Sequence, residues 1–163
     1  MISSSLTTSG LWECDVTVSD GSLTANASGD IEVITTWLGM VDFSHCNQTG
    51  HTGPSQSQCD SSYSGSTLED LVTVSSGIQQ WEVPVTGTYE IEIAGAEGGV
   101  GTDGSSQIPG QGATMIGTFS LTAGDVLNVI VGQEGLANGG GGGGGGSFVW
   151  VDGQSTPLIV AGG

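Results

Sequence analysis

The chain has no lysine and no arginine: all 17 of its formal side-chain charges are acidic, for a net charge of −17 at neutral pH. Affinity for a nucleic-acid backbone comes from Lys and Arg releasing condensed counterions, and a phosphate loop needs its Lys. A surface of one negative sign also repels anionic headgroups. Nucleic acid, nucleotide and membrane-surface partners are therefore set aside. The same absence leaves trypsin no cleavage site, which suits exposure outside a cell. Charge of any sign is scarce, at 10% of residues against roughly 25% in an average soluble domain. No apolar run reaches the ~18 residues that a spanning helix needs. No basic segment followed by an apolar stretch comes after Met1, so a secretory signal is expected to have been removed, or the protein to travel as part of a particle. Histidine is limited to His45 and His51, and cysteine to Cys14, Cys46 and Cys59.

Glycine is abundant instead, 31 residues of 163 where roughly 7% is usual. Hydrophobic residues at 36%, with four Trp, argue against simple disorder. Residues 1–11 are Ser/Thr-rich and read as an arm. Residues 12–43 are rich in Thr and Val and read as β. Residues 44–67 read as a polar loop. Strands are expected at 71–74 and 78–83. The run 88–94 alternates, with Tyr89, Ile91 and Ile93 on one face and Glu90, Glu92 and Ala94 on the other. Further strands are expected at 113–121, 126–132, 148–151 and 158–160, with turns at Ala123-Gly124-Asp125 and Asp152-Gly153. Only 67–72 tempts a helical turn, so the chain reads as all-β. Two segments are expected, a β-rich arm over 1–42 and a glycine-rich β domain over 43–163. The abrupt stop at Ala161-Gly162-Gly163, after a strand-like run, leads us to expect that the natural chain continues.

Eight consecutive glycines, Gly139, Gly140, Gly141, Gly142, Gly143, Gly144, Gly145 and Gly146, have no side chains to bury. Ordering them costs about 8–16 kcal/mol of backbone entropy, so composition alone reads as a flexible linker. The alternative is a polyproline-II rod about 25 Å long, at ~3.1 Å per residue, whose backbone groups bond sideways to neighbouring segments. The run needs partners for this, and 95–104, 110–112, 162–163 with whatever follows, or a neighbouring subunit are candidates.

Cys46 and Cys59 can close a disulfide loop contributing roughly 3 kcal/mol by loop entropy. They can also bind zinc with His45 and His51, or remain thiols. Adjacent His45 and Cys46 suit one structural zinc poorly and the paired short spacing of zinc ribbons is missing, so the disulfide is favoured. Cys14 is left over, to pair beyond residue 163, cross-link a subunit or sit buried. Gly99-Val100-Gly101-Thr102-Asp103-Gly104 fits G-x-G-x-x-G, but its continuation cannot begin the helix a dinucleotide site requires. His45 and His51 are the only histidines and no G-x-S-x-G occurs, so a hydrolase triad is not expected. Glu90 and Glu92 on one strand face read as solvated rather than as a glycosidase pair. The Asp-Gly pairs at 20–21, 103–104 and 152–153 read as turns; they could hold calcium weakly, but no ordered calcium loop is present and no cofactor is expected. Asn26-Ala27-Ser28 and Asn47-Gln48-Thr49 are glycosylation sequons.

An ordered set of residues resembles a known family. Cys46 and Cys59 enclose Gly53-Pro54 and Gln56-Ser57-Gln58, and Tyr63 follows. Gly77-Ile78-Gln79, Trp81, Val83-Pro84, Thr88-Tyr89, Ala94-Gly95-Ala96, Gly98-Gly99 and Gly101 come next. Val131-Gly132-Gln133, Gly135, the glycine run, Pro157-Leu158-Ile159 and Ala161-Gly162-Gly163 complete the set. Over 43–163, about three quarters of the chain, this resembles the glycine-rich extracellular region of the anaplastic lymphoma kinase and leukocyte tyrosine kinase receptors. The resemblance implies a jelly-roll-like sandwich, similar to a tumour-necrosis-factor domain, with inserted polyglycine helices and a surface that binds protein ligands. Those receptors carry basic residues that this chain lacks, and residues 1–42 have no counterpart in them.

The expectation is therefore a non-catalytic module at an extracellular, cell or virion surface. Its first form is a structural or adhesive subunit of a filament or fibre, self-associating through β-strand or polyglycine contacts, with residues 1–42 completing a sheet in the next subunit. Its alternatives are a receptor ectodomain that binds a protein or glycan, and the receptor-binding tip of a phage tail fibre. Membrane insertion is not expected.

Overall fold

The computed structural model describes residues 10–19, 24–33, 39–102, 108–137 and 140–163, the first two stretches at the level of the backbone. Expectations placed on residues 20–21, 103–104 and Gly139 lie outside the described residues, as do the side chains of Cys14 and Asn26. The chain divides into two units, Met1–Leu38 and Gly39–Gly163.

In the first unit, strands β1 (Gly10–Ser19) and β2 (Thr24–Val33) pair antiparallel, from Gly10 opposite Val33 to Ser19 opposite Thr24. Cys14 stands opposite Gly29, and Asn26 opposite Thr17.

Among its described residues the second unit is an all-β sandwich with one short helix. Strands β3 (Val72–Ser75), β4 (Ile78–Glu82), β7 (Val126–Ile130), β8 (Ser147–Val151) and β9 (Ile159–Ala161) form an antiparallel sheet in the order β3-β4-β7-β8-β9. Strands β5 (Gly87–Ala94) and β6 (Thr114–Leu121) form a separate antiparallel pair, which packs against β8 and β9. The chain thus leaves the large sheet after β4 and returns to it at β7. The β3–β4 hairpin turns on Ser76 (φ 51°) and Gly77 (φ 80°), the double left-handed pair that matches strand twist.

Cross-strand pairing sorts the large sheet into two faces. Val72 faces Trp81, Trp81 faces Leu127, Val129 faces Val149 and Val149 faces Ile159; all of these are buried. Each large aliphatic or aromatic side chain removed from water contributes about 1.5–3 kcal/mol. Three edge-on ring contacts tie the layers together: Phe43 with Tyr63 (6.3 Å), Phe43 with Trp81 (6.4 Å) and Trp81 with Tyr89 (6.4 Å). On β5, Tyr89, Ile91 and Ile93 are half-buried whereas Glu90, Glu92 and Ala94 are exposed, which is the alternation expected from the sequence.

The helix α1 (Gln56–Tyr63) lies in the segment read above as a loop. It has no apolar stripe, and only Cys59 and Tyr63, four residues apart, are buried. A capping box starts it: the Ser55 side chain accepts from Gln58 N, and Gln58 Oε1 accepts from Ser55 N at 2.8 Å. That reciprocal pair satisfies two otherwise unpaired donors. The 67–72 stretch, where a helical turn is tempting, instead makes consecutive turns closed by Leu71 N donating to Leu68 O (3.0 Å). From the first turn of α1, the Gln56 carboxamide reaches the outer edge of β3. Its Nε2 donates to Val72 O (2.9 Å) and its Oε1 accepts from Val74 N (2.6 Å).

Candidate functional site

Three local structures meet at one end of the sandwich. The first is the disulfide loop. Cys46 and Cys59 are bonded, with Cα atoms 4.9 Å apart, and both are fully buried. The bond consumes both thiols, so the zinc alternative with His45 and His51 falls away. The loop opens with a tight turn in which Gln48 N donates to His45 O (3.0 Å), while Cys46 (φ 52°) and Asn47 (φ 57°) are both left-handed. Such backbone costs of order 1 kcal/mol per non-glycine residue unless its surroundings hold it; here α1 holds Cys59 and the disulfide holds Cys46.

A buried polar cluster fixes the start of this loop. The Tyr63 hydroxyl donates to Gln79 Oε1 (2.5 Å) and accepts from Ser44 N (3.0 Å), and Gln79 Nε2 donates to Ser44 O (2.8 Å). Gln79 is 1% exposed on the core face of β4, where an unpaired amide would be costly. Burial pushes the Tyr63 hydroxyl above the usual tyrosine range, and the hydrogen bonds with Ser44 oppose that shift in part.

The second structure is the glycine cluster. Gly142 N donates to Leu136 O (3.0 Å) and Gly145 N to Gln133 O (2.9 Å). On the other side, Gly142 O accepts from Gly99 N (2.7 Å) and Gly145 O from Ala96 N (2.9 Å). Each of the three strips contributes residues three apart: 96 and 99, 142 and 145, 133 and 136. Gly135 N donates to Glu97 O (3.0 Å), linking the outer strips directly, and Gly98 N donates to Gly110 O (2.9 Å). There is no room for side chains at the crossing points. A Cβ on Gly144 would overlap Ala96 O, one on Gly99 would overlap Leu136 O, and one on Gly132 would overlap Gly145 O. Gly143, in the middle of the run, has nothing within 4 Å of that position.

The third structure is an open groove of about 570 Å³ between these two, walled by residues 50–54 of the disulfide loop and by 130–136 and 142–146. Gln133 spans it: its Nε2 donates to Thr52 O (2.8 Å), while its Oε1 is buried without a hydrogen-bond partner. Ile78 and Ile130 line one end. From Ile130 an apolar row continues across the outer face of the sheet through its cross-strand neighbour Phe148 to Val160. Phe148 and Val160 are 38% and 37% exposed. Beside this row, Asn128 is buried because it accepts from Gln80 Nε2 (2.9 Å) and donates to Asp152 Oδ1 (3.0 Å).

The remaining sequence candidates lie apart. Glu90 and Glu92 are exposed on β5, His51 is exposed on the groove wall, and the 123–125 and 152–153 segments are turns with Gly124 (φ 89°) and Gly153 (φ 74°) left-handed. Asn47 is exposed. Among the described residues no three His, Cys, Asp or Glu gather as a metal site, and no helix is long and apolar enough to cross a membrane. Sequence reasoning missed α1, the Gln56 contact and the Tyr63–Gln79 cluster. Ser55-x-x-Gln58 is the signal that could have found the helix.

A disulfide-closed loop, a sandwich core and a side-chain-free cluster together define an all-β module. No protein-family model matches the chain. A 98-residue segment is 38% identical to leukocyte tyrosine kinase receptor of Mus musculus, covering 57% of this chain and 11% of that protein. The match falls in that receptor's extracellular region and not in its kinase domain, in line with the resemblance read from the ordered motifs. The chain therefore spans about a tenth of the length of the curated relative it matches.

Proposed function

We propose that this chain is a ligand-recognition module of a receptor-type ectodomain, in which the glycine segments form a rigid bundle of polyproline-II-type rods beneath the groove. The 98-residue match to a receptor's extracellular region is the observation that carries the receptor reading, in preference to a filament subunit or a tail-fibre tip. The three-residue spacing of the lateral bonds at 96/99, 142/145 and 133/136 supports the rods, because a polyproline-II helix repeats every three residues. A braced bundle holds the groove in one shape, and a preformed site loses less entropy on binding.

Charge and exposure point to the partner. The row Ile130–Phe148–Val160 offers apolar contact, and a module of charge −17 repels a second copy of itself while attracting a cationic polypeptide. The partner is thus a basic protein with an apolar contact surface. Light scattering over a concentration series should show a monomer at low and moderate salt. A Lys/Leu amphipathic peptide should bind it in a salt-sensitive way, and Phe148→Thr should weaken that binding tenfold or more. A regular polymer in electron micrographs, or equal binding of a Glu/Leu peptide, would replace this reading.

A further inference from the structure

The disulfide loop carries a chemical group that ligand recognition leaves unused. Along Asn47-Gln48-Thr49 the exposure alternates: Asn47 is exposed, Gln48 half-buried and Thr49 exposed. Gln48 is anchored at both ends of its carboxamide, with Nε2 donating to Thr52 Oγ1 (3.0 Å) and Oε1 accepting from Gln58 Nε2 (2.7 Å). The middle residue is thus tied to the loop and to α1, and its two neighbours are left in solvent. Asn47 Nδ2 makes one long contact, 3.4 Å to Oγ of the half-buried Ser62, so little is lost if that nitrogen is substituted. The left-handed pair Cys46 and Asn47 puts Asn47 at the tip of its turn, and Asn47 is not among the residues lining the groove.

We infer that Asn47 is an N-glycosylation site. Asn-x-Thr is the acceptor pattern for this transfer, and here both of its recognised groups face outward. The donor is an oligosaccharide carried on a lipid pyrophosphate. The Asn47 side-chain nitrogen attacks the anomeric carbon, a carbon–nitrogen bond forms, and the bond from that carbon to pyrophosphate oxygen breaks. The amide proton passes to a base on the transferring enzyme, the lipid pyrophosphate leaves, and nothing is oxidised or reduced. The sugar stands on the outer shoulder of the disulfide loop, clear of the groove, and adds a neutral hydrated mass to an otherwise acidic surface.

The site is read from the full-length protein secreted by its own cells, using a protease that cuts after Asp and Glu. Cleavage after Asp42 and Asp60 isolates residues 43–60, which contain no other acidic residue and carry Asn47 with both cysteines. The expected result is that most of this peptide is glycosylated, and that enzymatic removal of the sugar in heavy-oxygen water converts Asn47 to labelled Asp. Asn47→Gln and Thr49→Ala should abolish the modification and Thr49→Ser should retain it, with the Cys46–Cys59 bond intact in every variant. An unmodified peptide containing that bond would overturn the site while leaving the receptor reading standing. A reduced, unmodified peptide would overturn both, and a sugar that persists in Thr49→Ala would overturn recognition through the sequon.

Discussion

The large sheet and the glycine cluster hold themselves together by opposite means. In the sheet, side chains are the adhesive: Trp81, Leu127, Val129, Val149 and Ile159 fill one face, and the backbone bonds merely set their register. In the cluster the backbone is the adhesive. Bonds run sideways between strips three residues apart, and the lack of a side chain is what lets the strips approach. A sheet can exchange one aliphatic residue for another at modest cost. At its crossing points, Gly99, Gly132 and Gly144, the cluster has no comparable latitude, because the smallest substitution there adds a methyl group where a carbonyl already sits.

The largest effect belongs to the side-chain region. Trp81→Ala removes the ring that contacts Phe43 and Tyr89 and should cost about 3–5 kcal/mol in a denaturant titration. In the cluster, Gly144→Ala places its Cβ against the backbone of Ala96 and should cost about 1–3 kcal/mol by overpacking, with the loss centred on residues 96–99 and 133–136 in amide exchange. A comparable loss for Gly144→Ala without local loosening would break the contrast.

Tyr63→Phe tests the polar seam between the regions. It leaves Gln79 Oε1 and Ser44 N short of a partner, at about 1–3 kcal/mol. In the native protein the raised Tyr63 value means that the unfolded chain ionises first. Stability contributed by neutral Tyr63 is therefore complete below the usual tyrosine range of about 10 and lost as pH climbs past it. Tyr63→Phe should flatten that alkaline decline, as measured by thermal melts across the range.

The smallest effect is the sharpest. Gly143→Ala meets nothing within 4 Å and should change stability little, or raise it by about 0.4–1 kcal/mol through the unfolded chain. In exchange experiments the amides of Gly142 and Gly145, which donate to Leu136 and Gln133, should be protected, and the amide of Gly143 should exchange freely. Uniform exchange along the run would remove the case for rods and return it to the linker its composition implies.

How far the sequence could be read follows the same division. Strands β3–β9 were legible because apolar and β-branched residues recur there at the period of a strand, as in Tyr89, Ile91 and Ile93. The disulfide was legible from two cysteines with unsuitable zinc neighbours. Helix α1 was not, because it buries only Cys59 and Tyr63 and so has no stripe to detect; its capping box was the sole local signal. The cluster could be read only as a choice between linker and rod, since a glycine run carries no pattern. What decides its bonding is which strips lie beside it, and that is a property of the tertiary structure. The groove is made by the approach of residues 50–54 to 130–136, some eighty residues apart along the chain, for which no local motif exists.

By giving Val72 a donor and Val74 an acceptor, Gln56 imitates the neighbour that β3 lacks, and so acts as a stopper on that margin of the sheet. Open strand margins are where chains accrete into fibrils. With this one occupied by its own polypeptide, the sandwich cannot lengthen in that direction while α1 stays in place. A change such as Gln56→Ala would uncork it, and the first sign would be concentration-dependent thickening of a solution that had been free of aggregates.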